Sequence, residues 1–236
     1  MKTANLKEKA LKKLKGNYVV IICALIIFSF VDCIFAGTSK LIYNENMNIL
    51  FSLLVVGLLY MGLMDIVIKI AKGKKVEIKD LFNKTDMFWK TVAVTIVILA
   101  ITTVCFLLEG VALNSLRVFT TFQTDLNSIL ASIMILIGVL LCVAIAAFYV
   151  IIMMSFAQVY FILYENENMP VIDIFSRSMD LMENHKVDYV IFNLSFIGWM
   201  FLGLFTCGLL YLWLTPYMLV ANYYFYDSLK KLDKQK

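Results

Sequence analysis

The sequence predicts an all-α, polytopic membrane fold of about six transmembrane helices. Three observations predict it. Apolar residues fill 62% of the 236 positions, they fall in blocks long enough to cross hydrocarbon, and the basic residues sort onto alternate sides of those blocks. Soluble domains hold roughly 45 to 50% apolar residues, and a crossing helix needs about 20 of them at a rise of about 1.5 Å each. A water-soluble core could not hide this much apolar surface.

The chain opens on a basic amphipathic segment, residues 1–16, that places Leu6, Ala10 and Leu14 among lysines. The first apolar block, Tyr18 to Ala36, has the flanks of a signal peptide, but Asp32 interrupts it and Ile34 is a poor residue three back from Ala36. The block is therefore expected to stay as a helix. The next spans are expected at Ile49 to Ile70, Thr91 to Leu108 and Ile129 to Ser155. The fourth block stays uncharged as far as Glu165, too far for one crossing, so Gln158 to Tyr164 are expected to emerge as an interfacial helix or to tilt strongly. Tyr189 to Phe205 and Leu209 to Phe225 complete the set, separated by a turn at Thr206, Cys207 and Gly208. Pro216 in the last span removes a backbone hydrogen bond, and a kink is expected there.

Two further segments have the character of surface helices. Val76, Ile78, Leu81 and Phe82 alternate with charged residues. Pro170 opens a helix over about 170–184 that puts Val171, Ile174, Phe175, Met179 and Met182 on one face. With residues 1–16, these are expected to lie in the membrane surface. An amphipathic segment, an aromatic anchor and a hairpin then recur: Leu11 precedes Tyr18, Leu81 precedes Trp89 and Leu181 precedes Tyr189. The layout reads as three helix-plus-hairpin units within a single membrane domain, 1–236.

Of the 21 lysines and arginines, all but Lys40 and Arg117 fall on one side of this six-span arrangement. Basic residues mark the cytoplasmic side, so both termini are expected there.

The chemical inventory is thin. The five cysteines, Cys23, Cys33, Cys105, Cys142 and Cys207, stand singly in apolar runs, and His185 is the only histidine. Neither pattern suits a metal site or a disulfide framework, and no cofactor is expected. Glu165 with Glu167, and Asp180 with Glu183, lie in charged stretches and read as solvated faces. Gly138, Cys142 and Ala146 recur every fourth residue as a small-residue face for helix packing, with Gly198 and Gly203 as candidates in the fifth span.

Ionisable residues inside spans stand out, because a charge in hydrocarbon costs about 2.5 to 3.5 kcal/mol even on the mildest scale. Asp65 precedes Lys69 by four residues, the favourable helical pairing. Asp32, near the outer end of the first span, could meet water, Lys40 or Arg117. Gln158, Asn193 and Asn222 share the depth of Asp65. Together, Asp65, Lys69, Gln158, Asn193 and Asn222 are the candidate ligand-binding set. They would either line a polar cavity open to the cytoplasm or tie helices together by hydrogen bonds.

The stretch from Ser176 through SMDLMENHKVDYVIFNLSFIGWMFLGLFTCGLLYLWLTPYMLVANYYFYDSL, and the opening ALKKLKGNY, resemble an uncharacterised family of bacterial membrane proteins catalogued as domain of unknown function 975. The most specific stretches are LSFIGW, Leu194 to Trp199, and LWLTPY, Leu212 to Tyr217. Glu183, Asn184 and His185 stand where that family usually has a small residue and a lysine, as in KGNK. The resemblance implies a multi-span fold in the bacterial cytoplasmic membrane and carries no activity. The layout is also similar to the noncatalytic membrane domain that accompanies some glycerophosphodiester phosphodiesterases.

The function expected from the sequence is a noncatalytic one: binding, scaffold, accessory or immunity-type. Anionic lipid headgroups are its expected partners on the cytoplasmic face, with a membrane protein or a second copy as further candidates and no nucleic acid. The alternative is a small transporter or permease that uses the polar set around Asp65.

Overall fold

The computed structural model describes residues 3–42, 45–121, 128–206 and 208–235. Ten α-helices follow in order: α1 Thr3–Leu14, α2 Tyr18–Ile42, α3 Glu45–Ala71, α4 Phe88–Thr121, α5 Ser128–Ser155, α6 Val159–Glu165, α7 Val171–Met182, α8 Lys186–Leu194, α9 Ile197–Phe205 and α10 Leu209–Asp233. Two 3-10 turns, Ile78–Phe82 and Thr85–Met87, link α3 to α4. The described residues contain no strand. Cys207 and the side chains of Asp32 and Lys40 lie outside the description.

Three described stretches, Ile78–Val118, Ser132–Glu165 and Lys186–Phe205, are long and apolar enough to cross a membrane, and α1 with the first part of α2 forms a pair bent by 92° that would make a fourth. Length and composition thus support three to four crossings. Helix α10 falls short because tyrosines, Asn222 and Pro216 dilute its apolar run. It continues as one helix through Pro216.

The described residues form two compact units, Met1–Thr95 with Phe156–Lys236, and Ile96–Ser155. At the centre of the first is the second half of α3, buried on every side from Met61 to Ile68. Helices α1, α2, α6 and α10 and the turn Ile78–Phe82 pack around it. A helix covered on all faces must be apolar all round, and MGLMDIVI is, apart from Asp65. Gly62 makes the closest approach possible. A Cβ there would stand 1.7 Å from the Leu81 carbonyl oxygen, so the turn docks on bare backbone.

That contact changes the expectation for Val76 to Phe82. The segment is a 3-10 turn with Leu81 fully buried against α3, not an α-helix lying in the membrane surface. Asp80 builds the turn: its Oδ2 accepts the Glu77 N–H at 2.9 Å and its Oδ1 accepts Asn83 Nδ2 at 2.7 Å. A short acid that binds backbone and side chain locally favours a turn over a helix.

Of the two alternatives for Gln158 to Tyr164, an interfacial helix or a strong tilt, the burial of the segment speaks against the first, and Ser132–Glu165 remains one candidate crossing stretch. The chain turns at 156–158, and the new helix α6 buries Val159, Phe161, Ile162 and Leu163 against α3 and α7 instead of emerging at an interface. Its buried apolar residues occupy nearly successive positions, while Tyr164 and Glu165 at its end remain partly exposed.

Helices α1 and α7 are the clearest recurrence. Leu6, Ala10 and Leu14 form the buried stripe of the first, and Ile174, Ser178 and Met182 repeat that four-residue spacing in the second. Each helix ends at a three-residue break. Gly16 turns the first with φ 94°. The apolar stripes are covered by the chain itself, α1 by α10 and α3, α7 by α6 and α10.

The second unit comprises the remainder of α4 and helix α5. Its apolar side chains point outward, Phe106 78% and Leu140 59% exposed, the exterior that suits lipid. Leu116 fills the notch over Gly138, where an added Cβ would meet its methyl at 2.8 Å.

Candidate functional site

Asp65 is 2% exposed at the heart of α3. A bare carboxylate there would be costly, and two neighbours answer it. Lys69, one turn on, places Nζ 2.6 Å from Asp65 Oδ2, and Tyr164 at the end of α6 donates its hydroxyl to Oδ1 at 2.6 Å. Lys69 also reaches Asp80 Oδ1 at 2.9 Å. One ammonium thus links two carboxylates, joining α3 to the turn, while the tyrosine joins α3 to α6. Tyr224 of α10 adds a fourth tie by donating to the Ala71 carbonyl at 2.7 Å. Each carboxylate of this cluster has a charged or hydroxyl partner, an arrangement suited to holding helices in register.

The remaining candidate residues lie elsewhere. Asn193 donates to the Tyr189 carbonyl at 2.9 Å, and the Tyr189 hydroxyl lies within hydrogen-bonding reach of the side chains of Asn193 and Asn222. Asn222 keeps one buried oxygen without a partner. Gln158, fully buried at the turn before α6, has no partner for either amide atom. The structure therefore groups Asp65 with Lys69, and Asn193 with Asn222 through Tyr189, and leaves Gln158 by itself.

A third polar construction joins the N-terminal helix to the break between α8 and α9. Ser195 and Phe196 interrupt the helical ladder, and Lys7 donates to the Ser195 carbonyl at 2.8 Å and to its hydroxyl at 3.0 Å. The same ammonium stands 4.1 Å from the centre of the Phe196 ring. Burial lowers the proton affinity of the Lys7 amine below the ordinary lysine value, and the contact geometry is a charge held over a ring and two oxygens.

A polar cavity of about 600 Å³ lies at the lysine-rich end of the first unit. Five cations line it: Lys72, Lys84, Arg177, Lys230 and Lys234. Two are supplied by helix ends. Lys72 caps α3, whose last turn closes when the Lys74 N–H bonds the Lys69 carbonyl and the Gly73 N–H bonds that of Ile70, with Gly73 at φ 71°. Lys234 caps α10. Three of the five are committed: Lys84 pairs with Glu167, Lys230 with Glu165, and Arg177 with Asp233. The Tyr226 hydroxyl also donates to Glu165 at 2.8 Å. None of Asp65, Lys69, Gln158, Asn193 or Asn222 lines this cavity.

Sequence reasoning missed the cavity. The charge count places its lysines on one side, but they come from four separate segments, and no spacing along the chain announces that they converge. Among the described residues, no group of three or more His, Cys, Asp or Glu side chains is placed to hold a metal ion.

The chain belongs to the family described as protein of unknown function (DUF975), whose model matches residues 1–233. No curated protein and no solved structure matches it.

Proposed function

We propose that this chain is a noncatalytic protein of the bacterial cytoplasmic membrane, crossing it six times with both termini in the cytoplasm, and that it binds anionic lipid headgroups at its inner face. The observation that carries this reading is the cavity lined by five cations at the lysine-rich end. The charge asymmetry of the sequence supports it, since nearly all lysines and arginines share that side. The ion pairs of Asp65 and Lys69 support it too, because they occupy the span's charged groups with one another.

Lysines near an anionic surface each contribute up to about 1 kcal/mol of attraction. The test is reconstitution into nanodiscs of mixed lipid, followed by native mass spectrometry of the retained lipids. Anionic lipid is expected to be enriched over zwitterionic lipid of the same chain length. Equal retention of the two would sink the proposal.

A small permease is the second reading, and one observation favours it: Gln158 is fully buried with both amide atoms unpartnered. Gln158→Leu separates the two. In a closed bundle the substitution removes an unsatisfied amide and raises the unfolding temperature. An unchanged or lower temperature, together with ordered water beside the amide in a cryo-EM map, would favour the permease.

A further inference from the structure

The inner-face cavity has a charge balance that specifies more than general attraction. Its lining carries five cations and the carboxylates of Glu165 and Glu167. Glu167 is paired with Lys84, Glu165 with Lys230 and the Tyr226 hydroxyl, and Arg177 with Asp233 beside the rim. Lys72 and Lys234 are left, and among the described residues neither ammonium has an ion-pair or hydrogen-bond partner. The surplus is two positive charges.

We infer that this cavity is a site for a phosphomonoester group, with Lys72 and Lys234 as its charge-compensating contacts and Tyr164 and Tyr226 in its wall. The inference rests on the headgroup-binding reading and names the class of headgroup. A phosphomonoester carries about −1.5 to −2 charges near neutral pH, which matches the two uncommitted lysines; a phosphodiester carries one. The volume, about 600 Å³, lies within the range of small-molecule sites and exceeds what a lone phosphate fills. Two features oppose an anion. The C-terminal ends of α3, α6 and α10 meet the cavity through Lys72, Glu165 and Lys234, and helix C-termini repel negative charge. The two carboxylates do the same. Both effects are offset where they arise, by the cap lysines and by the ion pairs, so the surplus remains for a ligand.

The same phosphoryl chemistry occurs on a lipid, as in phosphatidic acid, or on a soluble ester, as in glycerol 3-phosphate. The test has an arm for each. In nanodiscs, retention of phosphatidic acid is compared with that of phosphatidylglycerol by native mass spectrometry. In detergent, binding of glycerol 3-phosphate is measured by calorimetry. The variants are Lys72→Gln with Lys234→Gln, both exposed at helix ends and absent from the core, and the charge-conserving Lys72→Arg with Lys234→Arg. Lys79→Gln, outside the cavity, is the control.

Wild type is expected to prefer the phosphomonoester in at least one arm, and the arm identifies the source. The double glutamine variant is expected to lose roughly 30-fold in affinity, the product of two lysine contributions of ordinary surface size. The double arginine variant and the control are expected to keep it. Equal binding of phosphatidic acid and phosphatidylglycerol with no glycerol 3-phosphate bound, or equal binding by wild type and the double glutamine variant, overturns the site. Those results leave a general preference for anionic over zwitterionic lipid standing. If that preference is absent as well, the broader reading fails with it.

Discussion

The hydroxyl of Tyr164 donates to Asp65 Oδ1 at 2.6 Å from a position 99 residues further along the chain. Breaking a buried ion pair by removing one partner costs about 3 to 5 kcal/mol, and Lys69, whose side chain is 26% exposed, moderates this to about 2 kcal/mol for Asp65→Asn. Tyr164→Phe removes one neutral donor and is expected to cost about 1 kcal/mol. Denaturant unfolding in detergent measures both. A neutral Asp65→Asn would remove the cluster from the list of what holds α3.

Gly62→Ala puts a methyl group 1.7 Å from the Leu81 carbonyl oxygen, an overlap only backbone movement can relieve. Overpacking of that kind costs about 3 kcal/mol or more, and the turn Ile78–Phe82 should separate from α3. Gly110→Ala, with nothing within 4 Å, should be neutral or stabilise α4 by up to about 1 kcal/mol. Comparable unfolding temperatures for the two variants would contradict the docking of the turn.

Lys7→Met keeps most of the side chain's length and removes the charge that Ser195 and Phe196 hold. The expected loss is about 1 to 2 kcal/mol, and amide exchange should accelerate across α1 more than across α10. Lys9→Met, exposed on the same helix, should leave exchange unchanged.

Single cysteines in a cysteine-free background test the six-span topology. Thiol reagents confined to the outside should label position 125 and spare positions 84 and 235. Labelling of position 84 from outside would reduce the number of crossings and reverse the sidedness on which headgroup binding depends.

The sequence made some of this legible and concealed the rest for physical reasons. Leu6, Ala10 and Leu14 announce the buried stripe of α1 because helix periodicity is local, and Asp65 announces Lys69 because four residues make one turn. Tyr164, Asp80 and the cavity lysines were not visible, since their meeting is decided by packing between distant segments. The turn at Leu81 was misread as a helix because its pattern is amphipathic. What overrides the pattern is Asp80 bonding locally and Gly62 offering bare backbone, and only the second of these depends on tertiary structure. Gln158 enters the candidate set by its depth in a span, and its lack of partners cannot be read from that depth.

The order in which these contacts become available bears on how the protein is made. At about 5 to 20 residues per second, the 99 residues from Asp65 to Tyr164 take about 5 to 20 seconds to synthesise. During that interval the Asp65 carboxylate has no tyrosine, but Lys69 follows it within four residues, so the nascent helix carries its own counter-ion. Lys69 is thus an escort before it is a strut. Its loss should reduce the yield of mature protein more than the stability of the molecules that do mature, a difference that pulse-chase labelling beside equilibrium unfolding would resolve.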